Sequence, residues 1–287
     1  MFTASLKERH ALSNRTFHIV LEAPGVSYTP GAVIAIYPEN PKERVDAILE
    51  IMGDESLREH FTKEVDLSSV PEGITRAEEL PQLPPLRHRY YSIASSAEVI
   101  PGEIHLTIAT FTTQQNGREV AGLCSNFLCK EMNLGTKLTC FIPDKKKFSA
   151  PQSSNTPAIM ISSGAGIAPF RGFMQERSQA STKNWLIHGG RTEKDDYYYR
   201  EEWERLIESG HLKVTTAFSR DQEEKIYVQD RMKKEREELL KWIDEGAIIY
   251  ICGNSKEMVK DVTATLADIL GGKEYVDALR VSGRLFP

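Results

Sequence analysis

The sequence predicts an antiparallel β-barrel with a short helical insertion, followed by a doubly wound parallel α/β domain. Two observations predict this class. Between Phe17 and Phe148 the apolar segments are short, strand-like and often bounded by Gly or Pro. After the stretch SAPQSSNTP, apolar strands and helical segments alternate, which favours a parallel sheet. A chain of 287 residues is about two domains long, and we expect these to span residues 1–150 and 151–287.

The barrel strands are expected in five short segments. In chain order these segments read FHIVLEA, AVIAIYP, YYSIASS, EIHLTIATF and KLTCFIP. The insertion begins after Pro38, where PKERVDAILEIMG carries apolar residues at helical spacing behind a proline. It closes with LPQLPPL, so we expect it to cover about residues 39–86.

Strand and helix pairs are expected throughout the second domain. The strands read AIMIS, NWLIHGG, LKVTTAFS and AIIYICG, and the helices after them read FRGFMQERSQ, DYYYREEWERLIESG, VQDRMKKEREELLKWIDEG and SKEMVKDVTATLADIL. Ligands of such sheets bind beyond the carboxyl ends of the strands. Residues that directly follow a strand are therefore the candidates for binding and chemistry.

Charge and apolar content exclude several functional classes. The net charge of -5 gives no electrostatic footprint for binding nucleic acid. The longest apolar runs are too short to span a bilayer, and the N-terminus lacks the layout of a secretory signal, so we expect a cytoplasmic protein. The cysteines are expected to be reduced thiols. Cys124 and Cys129 have the first spacing of an iron–sulfur run, but its third cysteine is missing, so we expect no metal.

The segment RHRYYSIASS, residues 87–96, combines features that suit a cofactor with a flat ring and phosphates. A strand there carries hydroxyl groups, an arginine able to bind phosphate and aromatic rings able to stack. The alternative is an ordinary strand with a tyrosine in the core.

Two glycine-containing turns are candidate phosphate sites. In ISSGAGIAPF, Gly164 and Gly166 let the backbone approach a pyrophosphate before a helix N-terminus, although a strand-to-helix turn needs glycine in any case. In GLCSNFLC, Cys124 and Ser125 begin a helical pattern whose free N–H groups suit a second phosphate. The alternative for this segment is a simple N-capped helix.

Two further candidates follow strands of the α/β domain. In FSRDQEEKIYVQ, Ser219, Arg220, Lys225 and Tyr227 suit the 2′-phosphate and adenine of NADP better than the ribose of NAD. The alternative is a solvated charged loop. Cys252 ends the strand AIIYICG, which places its sulfur over the ligand crevice unless it is a buried structural cysteine.

Together these segments resemble the ferredoxin–NADP reductase family, from about Phe17 to Arg284. That resemblance implies FAD on the barrel and NADPH on the α/β domain. It also implies that Arg89 binds the FAD pyrophosphate, Tyr91 stacks on the flavin and Ser92 bonds near flavin N5. FSRDQEEKIYVQDRM and KNWLIHGG look most like the reductase module of NADPH sulfite reductase flavoprotein and cytochrome P450 reductase, whereas GLCSNFLC resembles the plant-type reductase.

The expected catalytic residues are Ser92 and Cys252. The expected cofactor-binding residues are Arg89, Tyr90, Tyr91, Ser92, Thr107, Ile108, Ala109, Gly122, Leu123, Cys124, Ser125, Gly164, Ala165, Gly166, Ser219, Arg220, Lys225, Tyr227, Gln229, Cys252 and Asp261.

Three departures from the family pattern bear on these sites. Ala165 stands where the family usually has a threonine, so we expect weaker pyrophosphate binding. Thr112 and Thr113 stand where a tyrosine often stacks on the FAD adenine, which leaves Phe111 as the nearby aromatic residue. The sequence ends at GRLFP, short of the acid and the aromatic residue that cover the flavin in relatives, and we expect a more open flavin face.

By this resemblance the protein transfers hydride from NADPH to FAD and then single electrons to a flavodoxin, an FMN domain, a ferredoxin or a haemoprotein. The alternatives are a stand-alone ferredoxin or flavodoxin reductase, a diaphorase, and a non-catalytic FAD-binding subunit. Lys145 to Lys147 are a candidate docking patch for an acidic acceptor, or a solvated lysine run.

Overall fold

The protein folds around two sheets, and the predicted fold class is confirmed. The computed structural model describes residues 1–71, 73–115, 118–144, 148–151, 153, 155–180, 182–253 and 256–287. The first sheet is antiparallel and the second is parallel. The predicted domain limits, 1–150 and 151–287, remain a prediction.

The antiparallel sheet has the strand order β4, β3, β8, β1, β2, β5, and a further hairpin pairs β6 with β7. The strands are β1 Phe2–Ala11, β2 Thr16–Glu22, β3 Val33–Ile36, β4 Arg89–Ser92, β5 Glu103–Ala109, β6 Thr112–Gln115, β7 Arg118–Ala121 and β8 Lys137–Phe141. An antiparallel bridge between Ile93 and Leu106 joins the chain after β4 to β5 and closes the barrel. Alternate side chains such as Leu6, Ile19 and Ile34 fill its interior.

The parallel sheet has the order β11, β10, β9, β12, β13. Its strands are β9 Ala158–Ser163, β10 Asn184–Gly190, β11 Lys213–Phe218, β12 Ile248–Gly253 and β13 Leu285–Phe286. The strand order reverses between β9 and β12, and a crevice forms at such a point beyond the carboxyl ends of the strands.

Helices cover the parallel sheet and form the insertion. They are α1 Lys42–Met52, α2 Arg58–Lys63, α3 Leu123–Asn126, α4 Ala168–Arg177, α5 Glu193–Asp196, α6 Arg200–Glu208, α7 Val228–Lys234, α8 Arg236–Asp244, α9 Lys256–Leu270 and α10 Lys273–Val281. Helix α3 continues as a π-helix over Phe127–Glu131. Helices α1 and α2 pack with short 3-10 turns around a small core that includes Val45, Leu49 and Phe61, as the predicted insertion requires.

The structure differs from the sequence prediction in several elements. Strand β1, the hairpin of β6 and β7, helix α10 and strand β13 were not predicted. The helix predicted over residues 196–210 is α6, which begins only at Arg200 because the backbone of Tyr199 is left-handed, and the short helix α5 was not predicted. The segment predicted as one helix after β11 divides into α7 and α8, which meet at Glu235.

Within the part of the chain that the structure describes, no helix has both the length and the apolar character that a membrane span requires.

Candidate functional site

Three adjoining cavities form a groove between the barrel and the carboxyl ends of the parallel strands. We call them the central cavity, of about 500 Å³, the Arg89 cavity, of about 310 Å³, and the basic cavity, of about 690 Å³. Phe111, which follows β5, lines all three. The groove therefore connects the end of β4 with the loop after β11.

The central cavity is walled by both sheets. Its lining residues from the barrel are Tyr90, Tyr91, Ser92, Thr107, Ile108, Ala109, Phe111 and Ser125, and those from the α/β half are Ala165, Gly166, Ala168 and Cys252. No aspartate, glutamate, histidine, lysine or arginine is among these described lining residues. The cavity therefore suits a planar, largely neutral ring system better than an anion.

Ser92 and Cys252 meet across this cavity. Ser92 ends β4 of the barrel and Cys252 lies near the end of β12. Both side chains line the cavity, and the Ser92 hydroxyl acts to lower the pKa of the Cys252 thiol. Burial nevertheless raises the pKa of the Cys252 thiol to about 11, so that it is a neutral thiol near pH 7. The two predicted catalytic residues are thus brought together at the junction of the barrel and the parallel sheet.

The glycine turn after β9 brings the two halves close together. Gly164 has a φ of 54°, in the left-handed region that favours glycine. A Cβ on Gly166 would lie 2.2 Å from the carbonyl oxygen of Cys252, so this position has no room for a side chain. Ala165, between them, lines both the central and the basic cavity. Helix α4 begins directly after this turn, with Pro169 in its first turn.

The Arg89 cavity combines one cation with a helix N-terminus. Arg89 lines it opposite the first turn of α3, where Leu123, Cys124 and Ser125 follow Gly122. The first N–H groups of a helix have no acceptor within the helix and can bind an anion. The guanidinium of Arg89 lies 3.9 Å from the carboxylate of Asp66, which comes from the insertion.

Close packing explains the glycine that precedes α3. A Cβ on Gly122 would lie 2.6 Å from the ring of Phe111 and 2.8 Å from Ser125 Oγ. Tyr91 packs against the core cluster that contains Cys124, and burial raises the pKa of both groups, that of Cys124 to about 11. Tyr91 therefore links the barrel strand β4 to the start of α3.

The basic cavity lies beyond β9, β10 and β11. Four exposed cations line it, and none of them makes a salt bridge with any described residue; they are Arg15, Arg191, Arg220 and Lys225. The same cavity is lined by Ser219, Tyr227, Gln229 and Asp261. Tyr227, 44% exposed, offers an aromatic face beside the cations. An anion with an aromatic ring fits this lining.

Polar contacts hold the loop that carries Arg191. The buried carboxylate of Asp196 accepts the backbone N–H of Arg191 at 2.6 Å and the hydroxyl of Tyr198 at 3.0 Å. His188, at the end of β10, lies with Nε2 2.9 Å from the Asp196 carbonyl oxygen and with Nδ1 2.8 Å from Ser162 Oγ. Burial lowers the pKa of His188 to about 4, so this imidazole is neutral near pH 7.

Every cofactor-binding residue expected from the sequence lines one of the three cavities. Their roles remain predictions. Of the two threonines at the expected adenine position, Thr113 lines the Arg89 cavity. Lys145 to Lys147, the expected docking patch, lie outside the described residues.

The sequence reasoning missed several lining residues. Arg191 directly follows β10, so the rule about strand ends could have identified it. Arg15 comes from the turn between β1 and β2, and Asp66 comes from the insertion; no local pattern marks either of them. Only the fold brings them to the groove.

Comparisons with known proteins agree with this arrangement. Residues 76–127 match a family described as FAD binding domain, and residues 160–264 match one described as oxidoreductase NAD-binding domain. The sulfite reductase [NADPH] flavoprotein alpha-component of Escherichia coli O157:H7 is 38% identical over 257 residues. Its counterparts from Salmonella arizonae and Neisseria meningitidis are 37% identical over 257 residues and 36% identical over 272 residues.

These alignments cover 84% to 89% of this chain but only 43% to 44% of the relatives. The chain therefore spans less than half the length of the curated proteins that it matches. The match to the FAD binding domain lies in the barrel half of the chain, and the match to the NAD-binding domain lies in the α/β half that follows it. The chain belongs to the ferredoxin–NADP reductase family, as a module that joins an FAD-binding domain to an oxidoreductase NAD-binding domain.

Proposed function

We propose that the protein is an NADPH-dependent flavoprotein oxidoreductase that transfers hydride from NADPH to FAD and passes single electrons to a separate acceptor. The observation that carries this proposal is that Ser92 of the barrel and Cys252 of the parallel sheet line the central cavity together, and that this cavity shares Ala109 and Ala165 with the basic cavity. A ring in the central cavity and a nucleotide in the basic cavity would meet at this junction.

The described residues fit FAD. Tyr91 and Ser92 would hold the flavin from one wall of the central cavity, with the backbone of Thr107, Ile108 and Ala109 at its edge. Arg89 and the first turn of α3 would hold the pyrophosphate. The missing Cβ at Gly122 leaves room for the Phe111 ring beside that turn.

The basic cavity fits NADPH. We assign the 2′-phosphate to Ser219, Arg220 and Lys225, with Tyr227 beside the adenine. Gly164 and Ala165 would face the pyrophosphate, with Gly166 next to them in the central cavity, and Arg191 would add a further cation. Because these cations lack carboxylate partners among the described residues, binding a nucleotide breaks no salt bridge of the protein.

Bound FAD supplies the redox chemistry, because it accepts hydride from NADPH and can release electrons one at a time. The protein supplies position and polarity. Ser92 would offer its hydroxyl as a hydrogen-bond donor to bound flavin, and Cys252 would present a neutral thiol to the nicotinamide. Gly166 lets β12 approach closely enough for this arrangement.

The acceptor is proposed by chemical class. Flavodoxins, FMN domains, ferredoxins and haemoproteins take single electrons, and the relatives are named as the flavoprotein component of a sulfite reductase. We favour an FMN domain or a haemoprotein, because the similarity to that component covers most of this chain. We also place the protein in the cytoplasm, where the free thiols of its cysteines remain reduced.

A reconstitution assay tests the proposal. Protein loaded with FAD, and separately with FMN, is given NADPH and the one-electron oxidant ferricyanide. We expect NADPH-dependent ferricyanide reduction with FAD only. Protein that binds FAD but catalyses no reduction would be the non-catalytic subunit instead, and the proposal would fail.

A further inference from the structure

Tyr199 links the α/β half to the outer face of the barrel. Its hydroxyl lies 2.6 Å from Thr107 Oγ1 and 2.9 Å from His18 Nδ1. His18 Nε2 lies 3.1 Å from His105 Nδ1, and His105 Nε2 lies 2.9 Å from Glu103 Oε2. One tyrosine side chain therefore bonds to the adjacent strands β2 and β5.

Charged neighbours fix the direction of these hydrogen bonds. The carboxylate of Glu103 accepts from His105 Nε2, and Arg171 Nη1 donates to His105 Nδ1 over 3.3 Å. Burial, with a smaller effect of Arg171, lowers the pKa of His18 to about 3, and burial also lowers the pKa of His105. With both imidazoles neutral, His18 donates from Nε2 and accepts at Nδ1. The hydroxyl of Tyr199 then donates to His18 and accepts from Thr107.

The backbone of Tyr199 is strained. Its φ of 61° is the only positive value at a non-glycine residue in the described part of the chain. Such strain persists where the surroundings hold a side chain in place, often at functional sites. Here the Arg171 guanidinium stacks 4.8 Å from the ring centre, and Glu202 holds that guanidinium at 2.8 Å.

The other end of the link is a wall of the central cavity. Ile104, Leu106 and Ile108 of β5 point into the barrel core. Because side chains alternate along a strand, His105 and Thr107 lie on the opposite face, towards the α/β half. Thr107 lines the central cavity. A shift of Tyr199 would therefore move a wall of that cavity.

We propose that Tyr199 is a positioning residue for hydride transfer, which fixes β5 through Thr107 relative to the half of the protein that binds NADPH. This inference rests on the proposed function, since it assumes FAD in the central cavity and NADPH in the basic cavity. The rate of hydride transfer depends steeply on the distance and alignment of donor and acceptor. Tyr199 thus affects the chemical step and not nucleotide affinity.

The test compares Tyr199→Phe with the wild-type protein in anaerobic stopped-flow reduction of the flavin by NADPH and by NADPH deuterated at C4. Phenylalanine keeps the ring beside Arg171 and removes only the hydroxyl. We expect the reduction rate to fall about tenfold at an unchanged half-saturating NADPH concentration, with a larger deuterium effect as the chemical step becomes more fully rate-limiting. Thr107→Val should cause the same fall, and the double variant no further one.

Tyr250→Phe is the matched control. Tyr250 is buried, its hydroxyl donates to the Ser149 carbonyl at 2.9 Å, and it lines none of the three cavities. This variant should keep the wild-type rate. A Tyr199→Phe rate equal to that of the Tyr250→Phe control would overturn the inference.

Nitrogen-15 NMR of the histidine rings in protein without FAD gives a second readout. The Nδ1 signal of His18 should move in Tyr199→Phe and stay in place in Tyr250→Phe. An Nδ1 signal that does not respond to Tyr199→Phe would contradict the inference. Wild-type protein that NADPH fails to reduce would defeat the proposed function first, whereas normal wild-type reduction with an unaffected Tyr199→Phe variant would defeat this inference alone.

Discussion

The central and basic cavities adjoin but are built differently. The central cavity is lined by uncharged aromatic, hydroxyl, thiol and apolar side chains, most of them on strands. The neighbouring Arg89 cavity has one cation among its described lining residues, and this cation faces Asp66. The basic cavity is lined by cations that form no ion pair within the described part of the chain, on turns and on segments after strands. The difference suits a resident cofactor held by shape in one place and an exchanging anion attracted by charge in the other.

The largest expected effect concerns the charge of the basic cavity. Arg220→Ala should raise the KM for NADPH by a factor that corresponds to about 2 to 4 kcal/mol of lost binding free energy, because a charge-assisted contact to the 2′-phosphate is lost. The KM for NADH should stay unchanged. Steady-state kinetics with both nucleotides measure this change. Lys233→Ala, which removes an exposed cation of α7 outside the cavities, should change neither value. Equal effects of Arg220→Ala on both nucleotides would contradict the 2′-phosphate assignment.

Low pH should destabilise the protein by protonating His188, which supports the loop beside the basic cavity. His188 is neutral in the folded protein, with its pKa lowered by burial to about 4 from an ordinary value of 6.5. Between these two pH values the unfolded chain binds one more proton than the folded protein. The contribution of neutral His188 to the free energy of unfolding is therefore complete above about pH 6.5 and is lost as the pH falls towards 4. The loss is on the order of 2 to 3 kcal/mol.

Denaturant unfolding between pH 7 and pH 4.5 measures the loss. His188→Asn should be less stable at pH 7 but should show a shallower dependence on pH, by one proton. An unchanged slope in His188→Asn would mean that another group dominates the acid limb.

A smaller effect is expected from a substitution in the uncharged central cavity. Cys252→Ala removes the thiol beside Ser92 and should slow flavin reduction by about tenfold, or about 1.4 kcal/mol, with little change in KM. Because burial raises the pKa of this thiol to about 11, Cys252 does not ionise between pH 6 and pH 9. The flavin reduction rate of the wild-type protein should therefore not vary over this range through Cys252. Cys140→Ala, in the barrel core, controls for loss of a buried thiol. A rate that rises with a pKa near 8 in wild type and not in Cys252→Ala would reveal a thiolate.

The smallest effect is expected where the two cavities share a residue. Ala165→Thr adds a hydroxyl beside the turn and should tighten NADPH binding by about 0.5 to 1.5 kcal/mol, the usual net value of one hydrogen bond. Ala165→Val has nearly the same size without the hydroxyl and should not tighten it. Fluorescence titration with NADPH distinguishes them. Equal affinities of the two variants would show that the hydroxyl makes no contact with the nucleotide.

Local sequence patterns were enough to predict those cavity residues that lie at the ends of strands. Ser219 and the turn at Gly164 follow apolar strands and Cys252 lies near the end of one, so the strand rule was enough to place them beside a crevice. The parallel sheet and the helical insertion were predicted for the same reason, since periodicity and turn residues are local signals.

Other features depend on contacts between distant segments. Strand β1 alternates too weakly to be recognised, because its outward side chains are charged and few inward ones are apolar. Arg15 and Asp66 reach the groove only through barrel closure and packing of the insertion. The hydroxyl of Tyr199 meets Thr107 across 92 positions of the sequence, and its left-handed backbone has no local signature.

The most direct test of the account is the visible spectrum of FAD-loaded protein during anaerobic titration with NADPH and, separately, with NADH. The account predicts that the flavin band bleaches with about one equivalent of NADPH, while NADH requires a concentration higher by a factor of about 30 or more, as expected for loss of the 2′-phosphate contacts. Bleaching at the same concentration of both nucleotides would contradict the assignment of the 2′-phosphate to Arg220 and Lys225. The absence of bleaching by either nucleotide would contradict hydride transfer in this groove.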